Sequence, residues 1–129
     1  MGSLLMRSPL FAVVLLAGAV AVTPTLAADA DKGKAQFSQK CAICHANAAG
    51  IAGKNGPTLY GVVGRQAGSV PGYHYSAAMK AVGYAWSDDK LQTYLVAPQA
   101  TVKGTKMTYG GVKNPAQLGD LIAYLDTLK

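Results

Sequence analysis

The chain has 129 residues, of which 12 are Lys or Arg and six are Asp or Glu, so its formal net charge is +6. This length allows one domain and leaves little room for a second. The basic residues are spread along the chain and no aromatic residues alternate with them, so the composition does not favour nucleic-acid binding. A scattered positive charge favours an acidic protein partner or an anionic surface instead.

The first 27 residues have the pattern of a secretory signal peptide. Arg7 supplies a positive start, Leu10 to Val22 form an apolar run, and Thr25-Leu26-Ala27 places small residues three and one positions before a cut. The run of 13 residues is short for a helix that crosses a bilayer, which makes a retained anchor the weaker alternative. We therefore expect export to the periplasm, cleavage after Ala27, and a mature domain over residues 28–129.

The first predicted helix runs from about Asp31 to Cys41. Asp29 and Asp31 are suited to its N-terminal end, because carboxylates there accept backbone N–H groups and complement the helix dipole. The segment from Ala46 to Gly72 contains seven glycines and two prolines and predicts a long irregular stretch. Segments of this length without regular structure are uncommon unless they are functional or wrap around something.

Three more helices are predicted after this irregular segment. A short one is expected over Ser76–Ala81, and a second is capped by Ser87 and stopped by Pro98. In the last, Asn114 caps, Pro115 takes the first position, and apolar residues recur at helical spacing at Leu118, Leu121, Ile122, Leu125 and Leu128. No alternating strand pattern is present. The chain therefore predicts an all-α fold of four to five helices with long loops and packed terminal helices.

The segment Cys41-Ala42-Ile43-Cys44-His45 is the motif with the clearest chemistry. Two thiols on one helical turn can form thioether bonds with the two vinyl groups of one haem, and the adjacent histidine can bind its iron. A redox disulfide usually sits beside a parallel sheet, which is not predicted here. A structural zinc site needs four N or S ligands in separated pairs, and the chain has two Cys and two His in all, without that spacing. A disulfide between these two cysteines would close too short a loop to stabilise the fold much.

The second axial ligand decides what such a haem does. An open position indicates gas binding or peroxide chemistry, whereas Met or His indicates electron transfer. Three candidates follow the leader, namely His74, Met79 and Met107. Met79 fits a core helix, and Met107 lies in a glycine-bounded polar loop where it has no helical face to pack on, so local context favours Met107 without excluding the others.

The chain from Asp29 onward resembles the soluble class I cytochromes c, the mitochondrial type and its bacterial relatives. The residues that carry the resemblance occur in the same order along nearly the whole mature chain. They are Gly33, Phe37, Cys41-Ala42-Ile43-Cys44-His45, Gly56-Pro57-Thr58-Leu59, Gly64-Arg65, Gly68, Tyr75, Trp86, Tyr94, Gly104-Thr105-Lys106-Met107 and Leu121-Ile122-Ala123-Tyr124-Leu125.

The resemblance implies a role for each site residue. Met107 would be the sixth ligand, and the carbonyl of Pro57 would accept a hydrogen bond from His45. Gly33 and Phe37 would meet Leu121 and Tyr124 where the terminal helices cross. Tyr75, Trp86 and Arg65 would surround the haem propionates, and Tyr94 and Thr105 would lie near the thioether sulfur. The chain departs from the family pattern at Met79, where a polar Asn is common, and at Tyr109, where Phe is common.

The predicted function is one-electron transfer through one haem c held by two thioether links, not enzymatic catalysis. The expected partners are acidic docking surfaces of membrane redox complexes or a periplasmic dehydrogenase, with only transient membrane contact, and the chain is expected to be a monomer. By resemblance, the lysines around the haem edge are Lys34, Lys40, Lys54, Lys106 and Lys113. The alternatives are a peroxidase or sensor with a displaceable ligand and a thiol oxidoreductase without haem; whether the carrier serves respiration, photosynthesis or a dehydrogenase stays open.

Overall fold

The computed structural model describes residues 26–129 and, before them, Gly2, Gly18, Ala19 and Ala21. Most of the predicted leader, including nearly all of its apolar run, lies outside the described residues. The described chain is helical and forms no strand, only an isolated bridge between Gln66 and Ala85. Its α-helices are α1 (Ala30–Gln36), α2 (Ala77–Lys80), α3 (Asp88–Val96), α4 (Pro98–Thr101) and α5 (Pro115–Asp126). The predicted small all-α fold is confirmed, and none of the helices described is both long and apolar enough to cross a membrane.

The first helix begins where the sequence predicts but changes type halfway. Asp29 caps it, because its side-chain oxygen accepts from the backbone N–H groups of Asp31 at 3.0 Å and Lys32 at 3.1 Å. From Phe37 to Cys41 the chain forms a π-helical turn, closed by a 2.8 Å hydrogen bond from the N–H of Ala42 to the carbonyl of Phe37. A single wide turn of this kind is common next to functional sites. It carries the chain from the core at Phe37 to the first cysteine of the motif.

Helices α1 and α5 cross in close contact. Gly33 is buried against α5, and a Cβ there would overlap the carbonyl of Asp120 and lie 2.8 Å from the Cβ of Tyr124. One turn later the rings of Phe37 and Tyr124 pack with their centroids 5.5 Å apart. The backbone N–H of Asp29 also donates to the Asp120 carboxylate at 2.7 Å. The predicted packing of the terminal helices therefore depends on a position without a side chain.

The last helix follows the predicted pattern until its end. Asn114 accepts a hydrogen bond from the N–H of Gln117 at 3.1 Å, and Pro115 occupies the first turn. The prediction that Leu128 continues the helical stripe is wrong, because α5 ends at Asp126. Leu128 is still buried, and its carbonyl accepts from the N–H of Gly61 at 2.6 Å. Its side chain belongs to the hydrophobic core, and its backbone is tied to the irregular middle segment.

The shorter helices confirm the cap predicted at Ser87 and the stop predicted at Pro98, and they add a cap at Ser76. The side chains of Ser76 and Ser87 accept from the N–H groups of Met79 and Lys90, at 3.0 and 3.3 Å. As predicted, the helix before Pro98 ends, with its last residue at Val96. Pro98 also starts α4, because proline is well tolerated at the first helical position, where its missing N–H needs no partner.

The α1–α5 contact makes a prediction at Gly33. Replacing Gly33 with Ala should reduce the free energy of unfolding by about 2 kcal/mol or more, because the new methyl meets backbone that cannot move alone. The measurement is urea unfolding of the holoprotein. Gly119→Ala in α5 is the matched control, because a Cβ at Gly119 would have only the Cβ of Ala28 near it, at 3.8 Å. This substitution should stabilise the protein by up to about 1 kcal/mol, since alanine favours a helix more than glycine does. Equal effects of the two substitutions would contradict the close crossing.

Candidate haem site

A cavity of about 490 Å³ opens between the cysteine motif, α3, α5 and the loop before α5. Its wall is mainly apolar, with Val62, Leu91, Leu95, Leu121 and Leu125 contributed by separate parts of the chain. All ten residues that the sequence suggests for the site line this one cavity. They are Cys41, Cys44, His45, Pro57, Arg65, Tyr75, Trp86, Tyr94, Thr105 and Met107.

The two cysteines lie at the cavity wall as half-buried free thiols. The N–H groups of Cys44 and His45 both donate to the carbonyl of Cys41, at 3.0 and 2.9 Å, so the motif forms a tight turn. Burial raises the pKa of the Cys41 thiol to about 11. Thiol–disulfide enzymes need the opposite, a cysteine whose pKa is lowered so that the thiolate is present. This environment therefore speaks against the thiol oxidoreductase alternative.

The imidazole of His45 is oriented by a single strong contact. Its Nδ1 lies 2.7 Å from the carbonyl oxygen of Pro57, and because a carbonyl only accepts, Nδ1 must carry the proton. The lone pair is then on Nε2. Burial lowers the pKa of His45, which favours the neutral ring that metals bind. The hydrogen bond expected between Pro57 and His45 is thus present in the structure.

Gly56 contributes to this wall without having been assigned a role from the sequence. A Cβ there would lie 2.5 Å from Cε1 and 2.6 Å from Nδ1 of His45. The imidazole therefore packs directly on the backbone of Gly56, and any side chain would push the ring away. The Gly56-Pro57 pair was noted as a landmark, but a close approach of this kind has no local sequence signal.

Met107 lies on another part of the wall, half-buried in the loop before α5. The hydroxyls of Tyr94 and Thr105 are 2.9 Å apart, and the N–H of Met107 reaches Thr105 Oγ1 at 3.4 Å. Met79 also lines the cavity and is buried, so position alone does not separate the two methionines. His74, the third candidate, is exposed and is not part of the cavity wall.

Gln99 is a second residue that sequence reasoning missed. Its side-chain Nε2 donates to the carbonyl of Thr105 at 3.2 Å and to the carbonyl of Met107. It lies on α4, a helix that was not predicted. The usable signal was Pro98, since a proline can mark a helix start as well as a helix end.

One side of the cavity is polar and basic. The Arg65 guanidinium donates to the carbonyls of Tyr60 and Thr58, both at 2.8 Å. The hydroxyl of Tyr75 accepts from the N–H of Val70 at 3.1 Å, and Trp86 is buried with its ring centroid 5.1 Å from that of Tyr94. A fixed positive charge beside hydroxyl and indole donors suits carboxylates such as haem propionates.

The Lys and Arg side chains at the cavity wall have no acidic residue among them. Lys40 and Lys106 line it, and Lys106 Nζ donates to the carbonyl of His74 at 2.6 Å. The other three lysines expected at the haem edge, Lys34, Lys54 and Lys113, are exposed but lie outside the lining. All six acidic residues of the chain are described, and none of them lines the cavity. Ile43 is 69% exposed at its edge, so the basic rim includes an apolar side chain.

These features fit a covalently attached haem. The volume is within the range of about 300–1,000 Å³ that is usual for cofactor sites. The donors are two thiols at the attachment spacing, an imidazole with its lone pair on Nε2, and a thioether. Elsewhere among the described residues, no group of three or more His, Cys, Asp or Glu side chains could hold a metal ion, so the zinc alternative has no support.

Comparisons with known proteins agree with this site. The family model described as Cytochrome c matches residues 30–129. Cytochrome c of Arabidopsis thaliana is 46% identical over 102 residues, which cover 79% of this chain and 91% of that protein. Cytochrome c2 of Rhodopila globiformis is 48% identical over 103 residues (78% and 94%), and cytochrome c2 of Blastochloris viridis is 40% identical over 120 residues (93% and 92%). The chain belongs to the cytochrome c family, whose members carry electrons by means of a single covalently attached haem c.

Proposed function

We propose that this chain is a periplasmic one-electron carrier whose haem c is attached through Cys41 and Cys44 and ligated by His45 and Met107. The observation that carries the proposal is one apolar cavity whose wall contains both thiols, the imidazole and the thioether. When bound, haem c supplies an iron that alternates between the ferrous and ferric states. Every other contribution comes from the side chains that hold, orient and enclose it.

The two proposed ligands are held by different means. The Pro57 carbonyl fixes the ring orientation and tautomer of His45, as outer contacts to metal-bound histidines usually do. Met107 is positioned through its backbone. The Thr105 hydroxyl is hydrogen-bonded to the Tyr94 hydroxyl and accepts a hydrogen bond from the N–H of Met107. Ligands that stay in place in both oxidation states keep the geometry nearly constant, which lowers the barrier to electron transfer.

The surroundings favour the reduced state. An apolar pocket disfavours the extra positive charge of ferric iron, and a thioether ligand raises the reduction potential in the same direction. Arg65 lies where it would offset the negative charge of propionates. Trp86 and Tyr75 would complete the enclosure on that side and limit water near the carboxylates.

Replacement of Met107 tests the ligand assignment. Met107→Ala should keep the haem covalently attached but open the iron to added ligands, with loss of the weak far-red iron–sulfur band of the oxidised protein. The potential should fall by tenths of a volt, part of the ~0.8 V range over which axial ligands act. The measurements are an absorption spectrum and a redox titration.

Met79→Leu is the matched control, since Met79 is the other thioether at the cavity wall. It should keep the far-red band and stay within a small shift of the parent potential. Loss of the band in Met79→Leu, together with its retention in Met107→Ala, would assign the ligand to Met79 instead.

The docking surface proposed for acidic redox partners is the rim of the cavity that contains Lys40, Lys106 and Ile43. The support is the absence of acidic residues from the described cavity wall and the exposure of these side chains. Long-range attraction would steer the partner, and a small apolar contact at Ile43 would favour a brief complex. Complexes of this kind are expected to be weak and to dissociate quickly, as a carrier requires.

Oxidation by ferricyanide, a small anionic acceptor, tests the role of the rim. Lys40→Glu should slow the oxidation of the reduced protein several-fold at low salt, as part of the 10- to 1,000-fold range of electrostatic steering. Rates of the parent should fall with ionic strength, because the screening length drops from about 10 Å at 0.1 M to about 3 Å at 1 M. Lys129→Glu makes the same change in net charge outside the cavity wall and should have a smaller effect. Equal effects, or rates independent of salt, would remove the steering role.

Export with removal of residues 1–27 completes the proposed function. A cut before Ala28 would leave the contacts of Asp29 intact, both its cap on α1 and its N–H bond to Asp120. The similarity to the cytochrome c2 of Blastochloris viridis extends over 120 residues, more than residues 28–129 contain, so it includes part of the leader.

The N-terminal sequence of the protein from the periplasmic fraction should be Ala-Asp-Ala-Asp, and its mass should equal residues 28–129 plus one haem. Ala27→Phe should block the cut, because the peptidase requires a small residue there. A chain of 129 residues in the membrane fraction of the parent would show instead that the leader is kept as an anchor.

A further inference from the structure

The side chain of Gln99 bridges two backbone carbonyls in the loop that carries the proposed ligand. Its Nε2 donates to the carbonyl of Thr105 at 3.2 Å and to the carbonyl of Met107. These two carbonyls stand on either side of Lys106, so the two hydrogens of one amide bind both sides of a single bend. A neutral amide makes these contacts without adding to the charge of the rim.

Gln99 extends from a firmly held base. Pro98, the residue before it, is one of the largest fully buried side chains described. Thr101 Oγ1 donates to the carbonyl of Thr93 at 3.1 Å and so ties α4 to α3. The N–H of Val102 donates to the carbonyl of Pro98 at 2.9 Å and closes the short helix. The amide of Gln99 therefore extends from a short helix that is anchored by the buried Pro98 and tied to α3.

The loop that Gln99 contacts is held by few other hydrogen bonds, among them the one from Lys106 Nζ to the carbonyl of His74 at 2.6 Å. Gly104 and Gly111 adopt the left-handed conformation, with φ of 91° and 101°, and bound the segment that carries Met107. On the cavity side it is held by Tyr94 through the Thr105 hydroxyl. On the outside, Gln99 makes the only hydrogen bond to the Met107 carbonyl found within residues 26–129.

We propose that Gln99 is a positioning residue that clamps the Met107 loop, keeps the thioether in the cavity and slows the entry of external ligands. Its side chain does not line the cavity and acts through the backbone of Thr105 and Met107. The inference rests on the proposed function, because it takes Met107 as the ligand. Without the clamp, the loop would keep only its contacts at Thr105 and the hydrogen bond from Lys106 Nζ to the His74 carbonyl, and opening around Gly104 and Gly111 would become easier.

The test compares holoproteins that carry Gln99→Met, Gln99→Glu or the control Gln92→Met. Methionine keeps the length of Gln99 without its N–H donors, and glutamate keeps the shape but presents an acceptor to two carbonyls. Gln92 is exposed on α3, and its side chain makes no hydrogen bond within the described chain. The two measurements are the rate of imidazole binding to the oxidised protein and hydrogen–deuterium exchange of the Thr105–Tyr109 amides.

Both Gln99 variants should bind imidazole about tenfold faster than the parent, which corresponds to roughly 1.4 kcal/mol in the opening of the loop. Their Thr105–Tyr109 amides should exchange faster by a similar factor, while amides of α1 and α5 keep the parent rates. Gln92→Met should leave both measurements unchanged. A residue that only supported the fold would instead speed exchange in all helices together.

Parent-like imidazole binding and loop exchange in Gln99→Met would overturn the clamp. So would faster exchange spread equally over all helices. Failure of the proposed function is seen separately, as absence of the far-red iron–sulfur band from the parent protein, and the exchange measurement on Gln99→Met still decides whether the clamp exists in that case.

Discussion

The fold is organised around the need to fill one large apolar space. Without a group in this cavity of about 490 Å³, the apolar side chains on its wall would face water and lose the free energy of burial, whereas a whole domain is typically stable by only about 5–15 kcal/mol. Haem c, the covalently attached cofactor of the family, would cover this wall and so be part of the hydrophobic core as well as the redox centre.

The two sides of this core are built by different kinds of contact. On the histidine side, the crossing at Gly33 brings α1 against α5, and the π-helical turn leads from α1 to the cysteine motif. There the Pro57 carbonyl and the Gly56 backbone fix the orientation of the His45 ring. On the methionine side there is no regular structure at the proposed ligand. Hydrogen bonds from Tyr94 and Gln99 at Thr105 and Met107 take the place of a helix. The proposed control of access by Gln99 acts on this second side.

The sequence was informative where the signal is local. Asp29, Ser87 and Asn114 could be identified as caps because a cap needs only its neighbours within three residues. The cysteine–histidine motif predicted the attachment site because its chemistry depends on spacing along one turn. The local pattern did not by itself identify Met107 as the ligand, because it also allowed Met79, and both side chains line the cavity. The assignment depended on the resemblance to the family.

What could not be predicted depends on residues that are distant in sequence. The close approach of Gly56 to His45 and the two bonds of Gln99 exist only once the loops are folded together. The spacing of Leu128 fits the helical face, but α5 ends at Asp126, and Leu128 joins the core from beyond the helix, where its carbonyl binds the N–H of Gly61. Proline is found at both ends of helices, so the sequence predicts that Pro98 ends one helix but does not reveal that it also begins α4.

The most direct test of the central claim is the absorption spectrum of the purified periplasmic protein, oxidised and reduced, after extraction with acid acetone to remove haem that is not covalently bound. The account predicts that haem stays with the protein through Cys41 and Cys44, with sharp low-spin bands when reduced and a weak far-red sulfur band when oxidised. Retained haem without the sulfur band would contradict ligation by Met107, and complete loss of haem in the extraction would contradict covalent attachment itself.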